Sequence, residues 1–198
     1  MTKVIMGVDP GSNLLGYSFL RVADLATKPH VLTMGVLDMR DQENHLGKLR
    51  QIFEELSALV RLYEPTEAAI EAPFYGKDAQ AMLKLGRAQG VAMIAIATNN
   101  ISVVEYSPRS VKQAVTGNGN ASKEQLAQML PHLLTGEIAY DYIDASDAVG
   151  VAYCHYLQGR LLLSRGGTTV VAKSNAKKSK KSTNWASFIQ SNPDRIVD

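Results

Sequence analysis

The order of elements in this 198-residue sequence predicts an α/β domain built on a mixed five-stranded sheet flanked by helices. Three observations carry that expectation. Three stretches rich in Val, Ile, Leu and Met stand close together at the start, over residues 3–9, 15–22 and 31–39. Two further short apolar stretches, 68–72 and 101–105, each follow a segment of helical periodicity. Helical patterns then fill the rest as far as about residue 163.

Each element has a local cause. Residues 3–9 read as a buried strand, and Asp9-Pro10-Gly11-Ser12-Asn13 as a turn whose Pro, Gly and Asn supply the required backbone angles. The next two strands complete an antiparallel meander. From about Glu43 to Tyr63, the residues Leu46, Leu49, Ile52, Phe53, Leu56, Leu59, Val60 and Tyr63 recur at helical spacing, and Pro65 ends the run. Ala68-Ala69-Ile70-Glu71-Ala72 is a short buried strand stopped by Pro73. A second helix is expected over 78–99, with Asp78 as its N-cap. It carries Gly86, Gly90, Ala79, Ala81, Ala88 and Ala92, and such small residues suit the close approach of another helix. Ser107-Pro108 reads as a cap followed by proline in the first turn. Ser122-Lys123-Glu124-Gln125 reads as a capping box opening a helix to about Leu133. The last core helix runs from near Asp144 to about Leu163.

Composition narrows the class. With 45% apolar and 20% charged residues, the chain has enough apolar material for one packed core. The longest apolar run, Val91 to Ala97, is too short to cross a bilayer. The N-terminus enters a strand directly, without the pattern of a signal peptide. A lone Cys154 rules out an internal disulfide framework, and with His155 beside it still falls short of a zinc sphere, so it reads as a packed helical residue. These features predict a cytoplasmic protein. The net charge of +2 conceals a division: from Arg165 onward there are seven Lys/Arg and two Asp/Glu, which leaves residues 1–164 at −3. Residues 1–165 are therefore expected to form the folded domain and 166–198 a basic tail. Lys173, Lys177, Lys178, Lys180 and Lys181 in that tail have no apolar partners to fold around.

An acidic core suggests carboxylates gathered for a cation. Asp9 ends the first strand, Glu71 ends the fourth, and Asp144 and Asp147 open the last core helix three residues apart, on one face. If the first and fourth strands are parallel neighbours, Asp9 and Glu71 emerge together at their carboxyl ends, where α/β sheets place their sites. Four such acids repel one another unless cations sit among them. Oxygen ligands without His or Cys favour magnesium or manganese, and two such ions about 4 Å apart suit in-line displacement at phosphorus. Three of the acids also have a plainer explanation: Asp9 as a turn residue, Asp144 and Asp147 as helix-start residues. Glu71 resists one, because its neighbours look buried.

Gly7-Val8-Asp9-Pro10-Gly11-Ser12 with Gly16-Tyr17, Ile70-Glu71-Ala72-Pro73-Phe74, the run Leu83 to Val91, the run Val111 to Gly117, and Asp144-Ala145-Ser146-Asp147-Ala148 together resemble the RuvC family of bacterial Holliday junction resolvases. The resemblance spans roughly residues 3 to 160 in order and spacing. It implies a ribonuclease H-like fold, a homodimer, and symmetric magnesium-dependent cutting of two opposed strands of a four-way DNA junction. The family's catalytic acids fall on Asp9, Glu71, Asp144 and Asp147, with two Mg2+ ions per site and Mn2+ able to substitute. Lys112 and Lys123 match lysines near the scissile phosphate, and Arg109 and Lys77 would add backbone contacts. Phe74, with Tyr75 beside it, matches an aromatic that stacks on bases at the opened junction centre, a contact worth about 1–3 kcal/mol per base. The glycine-bearing helix from Asp78 corresponds to the family's dimer helix. Two incisions related by a two-fold axis require two sites so related. A branch-migration motor of the RuvA and RuvB type is the implied protein partner.

Glu105 has no motif support and reads as structural, and His155 as packed against the sheet rather than acting as a base. Two other functions compete. An RNA-processing nuclease of the same fold would use the same acids but has no need of the dimer helix or the aromatic after Glu71. A non-catalytic junction-binding scaffold would have no need of the complete acid set.

Overall fold

A computed structural model describes residues 2–24, 27–73, 76, 78–138 and 143–164. Phe74, Tyr75 and Lys77 lie outside the described residues, as do the expected domain boundary at 165 and the basic tail. The elements run β1 (Lys3–Asp9), β2 (Leu14–Val22), β3 (His30–Asp38), α1 (His45–Tyr63), β4 (Glu67–Glu71), α2 (Ala79–Ala97), β5 (Val103–Tyr106), α3 (Pro108–Thr116), α4 (Lys123–Leu133) and α5 (Ile143–Ser164). They form a five-stranded sheet in the order β3-β2-β1-β4-β5. The first three strands are antiparallel, and β1/β4 and β4/β5 are parallel, so the sheet is mixed. No helix among the described residues is long and apolar enough to cross a membrane.

The capping chemistry acts where the sequence places it. The Asp78 carboxylate accepts from the Gln80 and Ala81 amides at the start of α2. Ser122 and Gln125 exchange both bonds of a capping box. Ser107 caps α3 ahead of Pro108. Two boundaries differ from the sequence expectation. Helix α1 begins at His45 because the Asn44 side chain caps it, accepting from Gly47 N–H. It ends at Tyr63 as expected, but the stop is made by the cap residue Glu64, whose left-handed backbone (φ 46°) returns its N–H to the Val60 carbonyl before Pro65 is reached. Strand β5 occupies 103–106 rather than 101–105, held in register by Ala68↔Val103 and Glu71↔Tyr106.

Strand alternation divides the core into two layers. Ile5 and Ala69 face α3, α4 and α5, packing with Val111, Leu126, Leu130, Val149 and Ala152. Met6, Val8, Ala68 and Ile70 face α1 and α2, packing with Ile52, Leu56, Ala92 and Ile96. The two-residue period therefore sends Gly7, Asp9 and Glu71 toward the α5 side.

Helix α5 lies hard against that face. A Cβ on Gly7 would meet the Ala148 carbonyl oxygen at 2.2 Å, and one on Gly16 would meet the Asp144 carbonyl oxygen at 2.1 Å. Ser18, fully buried, donates from Oγ to the same Ala148 carbonyl at 2.9 Å. Cys154 is buried and unbridged in this helix, as a packed residue, and burial pushes its thiol up to about 11.

The small residues of α2 separate onto two faces. Ala88, Ala92 and Ala95 are buried, whereas a Cβ on Gly86 or Gly90 would meet nothing within 4 Å. Close packing within this chain uses the alanines. The glycines lie in an exposed stripe with Leu83 (56% exposed) and Ile94 (55%).

Candidate active site

In the parallel pairing of β1 with β4, Val8 stands opposite Ile70. The next residue of each strand is the acid, and both acids project to the α5 side. Asp9 and Glu71 line one small cavity of about 150 Å3, together with Pro10, Ala72, Pro73, Leu85 and Gln89. The start of α5 closes on the same point from the other face of the carboxylates. One oxygen each of Asp9, Asp144 and Asp147 lies within 4.8 Å of the others, a spacing that could hold a metal ion. Glu71 stands outside that triplet but shares the cavity with Asp9 and acts on it by charge. The sequence expectation of four acids around one point is thus met as three plus one.

Electrostatics follow from this crowding. Asp9 is held well above the usual carboxylate range, by burial first and then by the charges of Glu71 and Asp147. Burial, with Asp147 next, pushes Glu71 up to about 7. Asp147, 6% exposed, is also raised by burial, although Lys123 pulls the other way. The Lys123 ammonium contacts Asp147 Oδ2 and lies 3.3 Å from Asp144 Oδ1. Burial alone would lower the pKa of Lys123, but Asp147, Asp9 and Asp144 hold it well above the ordinary lysine value. Lys112 is half-buried on α3 and exerts its charge on Glu71 and Asp147. Arg109, one turn earlier, is exposed and packs over Gly119, where a Cβ would meet its Cγ at 2.7 Å.

The donor set suits a hard cation. Asp147 Oδ2 is buried and is met by the Lys123 ammonium, with no further partner found for it among the described residues. A buried anionic oxygen in that condition is stabilised by a cation. Carboxylate oxygens without nitrogen or sulfur donors select the magnesium and manganese class.

Glu105 and His155 are occupied elsewhere. Gln89, 7% exposed, donates from Nε2 to Glu105 Oε2 at 2.9 Å, which fixes the side chain that floors the cavity. His155 sits between the Tyr106 hydroxyl (2.9 Å from Nδ1) and Glu67 (3.3 Å from Nε2), at the amino end of β4. Glu67 and Glu71 lie four strand residues apart, about 13 Å. Gln89 and Leu85 are the cavity residues that sequence reasoning did not single out individually. They stand within the run 83–91, and only helix packing shows which of its positions face the acids.

An acid-lined cleft at the carboxyl ends of parallel strands, on a sheet of order 3-2-1-4-5, defines a ribonuclease H-like protein with a carboxylate cluster that could hold a metal ion. A sequence model of the family described as crossover junction endodeoxyribonuclease RuvC matches residues 5–155. The chain belongs to that family of nucleases. It is 44% identical over 197 residues to the crossover junction endodeoxyribonuclease RuvC of Bacteroides fragilis, covering 98% of this chain and 96% of the relative. The corresponding protein of Porphyromonas gingivalis is 43% identical over 196 residues, covering 98% and 97%. Among solved structures, Thermus thermophilus RuvC in complex with a Holliday junction substrate superposes with a TM-score of 0.73 at 28% identity. That match covers 80% of this chain and 96% of the other.

Proposed function

We propose that this protein resolves four-way DNA junctions in homologous recombination and repair, by paired, symmetric, magnesium-dependent phosphodiester hydrolysis in the cytoplasm. The observation that carries the reading is the meeting of Asp9, Asp144 and Asp147 within 4.8 Å, with Glu71 lining the same cavity as Asp9. These four acids would hold two Mg2+ ions, with Mn2+ able to substitute. Bound there, the ions supply Lewis acidity at the scissile phosphate and ease ionisation of the attacking water. Water oxygen forms the new bond to phosphorus as the P–O3′ bond breaks, which leaves a 5′-phosphate and a 3′-hydroxyl that takes up the proton.

The chain's own residues do the remaining work. Lys112 and Lys123 flank the acids and hold the phosphate against them. Phe74 and Tyr75 stack on bases unpaired at the junction centre, and Lys77 and Arg109 contact the backbone on either side. Two sites are brought together in a homodimer through the exposed α2 stripe of Leu83, Gly86, Gly90 and Ile94. That stripe is apolar and small enough for helix-to-helix contact. A branch-migration motor of the RuvA and RuvB type delivers the junction.

The test is cleavage of a mobile synthetic four-way junction beside duplex DNA and an RNA–DNA hybrid, with and without magnesium. Paired nicks in the junction alone, with metal only, are expected. Cutting of the hybrid, or junction binding without cutting, would replace this reading with a ribonuclease or a scaffold.

A further inference from the structure

Gln89 is a polar side chain buried at the wall of the carboxylate cleft with part of its hydrogen-bonding capacity unused. It stands one turn beyond Leu85 on α2, and the two share the face that lines the cavity with Asp9 and Glu71. Only 7% of it is exposed. Its Nε2 donates to Glu105 Oε2 at 2.9 Å, and among the described residues the amide makes no other hydrogen bond. Sheet register explains the contact. Glu105 stands opposite Ile70, whose side chain packs toward α1 and α2, so the β5 glutamate is turned to α2 as well. The contact also fixes which way the amide faces. An ionised carboxylate only accepts, so Glu105 takes the nitrogen end and the carbonyl oxygen is left for the cavity.

A nearly buried acceptor calls for a donor. The other side chains of the wall supply none: Pro10, Ala72, Pro73 and Leu85 are apolar, and ionised Asp9 and Glu71 are acceptors themselves. Water on a hard cation would supply it. An ion of the magnesium class demands octahedral oxygen coordination, and it keeps several waters where the protein offers only one or two carboxylates. The cavity volume of about 150 Å3 equals about five waters at about 30 Å3 each, which leaves room for such a shell. We propose that Gln89, held by Glu105, is a positioning residue for the cation that Asp9 shares with Glu71, its Oε1 accepting a hydrogen bond from a water on that ion. The proposal rests on reading the acids as a metal site, and it gives one of the two ions a named outer partner. Gln89 touches the water and Glu105 touches Gln89, so both act on the ion without being its ligands.

The experiment is Mn2+ binding to the full chain without DNA, read by electron paramagnetic resonance of the free ion. The wild type is expected to take two ions. Gln89→Met keeps the bulk of the side chain and removes the amide, so it should weaken one ion about tenfold and leave the other unchanged. Glu105→Ala changes an exposed strand residue and frees the amide to turn, so the same ion should weaken in the same direction. The exchange Q89E/E105Q puts the donor on β5 and keeps an oxygen acceptor facing the cavity, and it should restore at least the wild-type affinity. A side chain that only packs would leave the ion untouched by Gln89→Met and would gain nothing from the exchange. Should Gln89→Met fail to fold, Glu105→Ala and the exchange decide the matter. Wild-type affinity for both ions in Gln89→Met and Glu105→Ala, or a wild type that takes a single ion, overturns the proposal and leaves the metal site standing. A wild type that binds no Mn2+ at all would sink the metal site with it.

Discussion

Gly16 makes room for Asp144. The two residues are 128 positions apart, yet a side chain on the first would lie 2.1 Å from the carbonyl oxygen of the second. Gly16 pairs with Asp9 across β1 and β2, so the strand position facing one acid of the cluster also seats the backbone of another. The close approach brings the α5 carboxylates within reach of Asp9. Gly16→Ala should therefore push back the start of α5, with an overpacking cost of about 1–3 kcal/mol. Chemical denaturation reads the stability loss, and cleavage should fall further than the fraction unfolded explains. Wild-type cleavage in a folded Gly16→Ala protein would show that the acids do not depend on this contact.

Asp9→Asn removes one anionic ligand and keeps the shape of the cleft. Junction binding should persist, because Lys112 and Lys123, proposed above to hold the phosphate, remain. Cleavage should fall by at least about 100-fold, since loss of several kcal/mol of transition-state charge stabilisation corresponds to at least that. Gel-shift and nicking assays on one preparation separate the two effects. Undiminished cutting would remove Asp9 from the metal site.

Glu71 predicts a pH dependence with a definite sign. Its carboxyl is raised to about 7 in the folded, metal-free protein, against about 4.5 for an ordinary glutamate. A raised carboxyl pKa means that the folded state binds the proton more tightly, so ionisation costs stability. The penalty is fully present above pH 7 and is relieved as pH falls from 7 toward 4.5. Asp9 and Asp147 are shifted in the same direction. Thermal unfolding in a chelator should thus show higher stability at pH 5.5 than at pH 8, a difference that Glu71→Gln reduces and added magnesium abolishes. A metal-free protein most stable at pH 8 would contradict the burial of these acids.

Lys123 holds its ammonium against Asp147 and beside Asp144, where a divalent cation would compete with it. Lys123→Met should bind Mn2+ several-fold more tightly, as read by electron paramagnetic resonance of the free ion, while cleavage falls. Unchanged Mn2+ affinity would mean that the lysine does not occupy the cation's position.

Ile94→Glu places a charge in the exposed α2 stripe beside Gly90. Sedimentation should show a monomer that keeps its helical circular dichroism, and incisions on opposed strands should lose their coupling. A dimer that survives would locate the interface elsewhere.

The sequence marked nearly every element, because local forces set them. Alternation placed the strands, and Asp78, Ser107 and Ser122 announced their helices through side-chain caps. The boundaries it misjudged were those decided by neighbours. Ile101 and Ser102 read as the opening of the strand, yet the register of β5 against β4 begins at Val103, opposite Ala68. The α2 glycines and alanines read as one small-residue face, but packing against the rest of the chain buries Ala88 and Ala92 and leaves Gly86 and Gly90 open.

The site divides in the same way. The sequence by itself determined which acids stand at element ends, that their oxygens suit a hard cation, and which family they resemble. These follow from residue type and short-range spacing. Only the tertiary structure decided that three carboxylates meet while Glu71 shares a cavity with Asp9 alone among them. It also set Lys123 among the acids, gave Gln89 to Glu105, and gave His155 to Tyr106 and Glu67. The reason is physical: convergence depends on strand order and on how closely α5 can approach the sheet. Close approach is a property of two surfaces far apart in the chain, set by the bare backbone at Gly7 and Gly16.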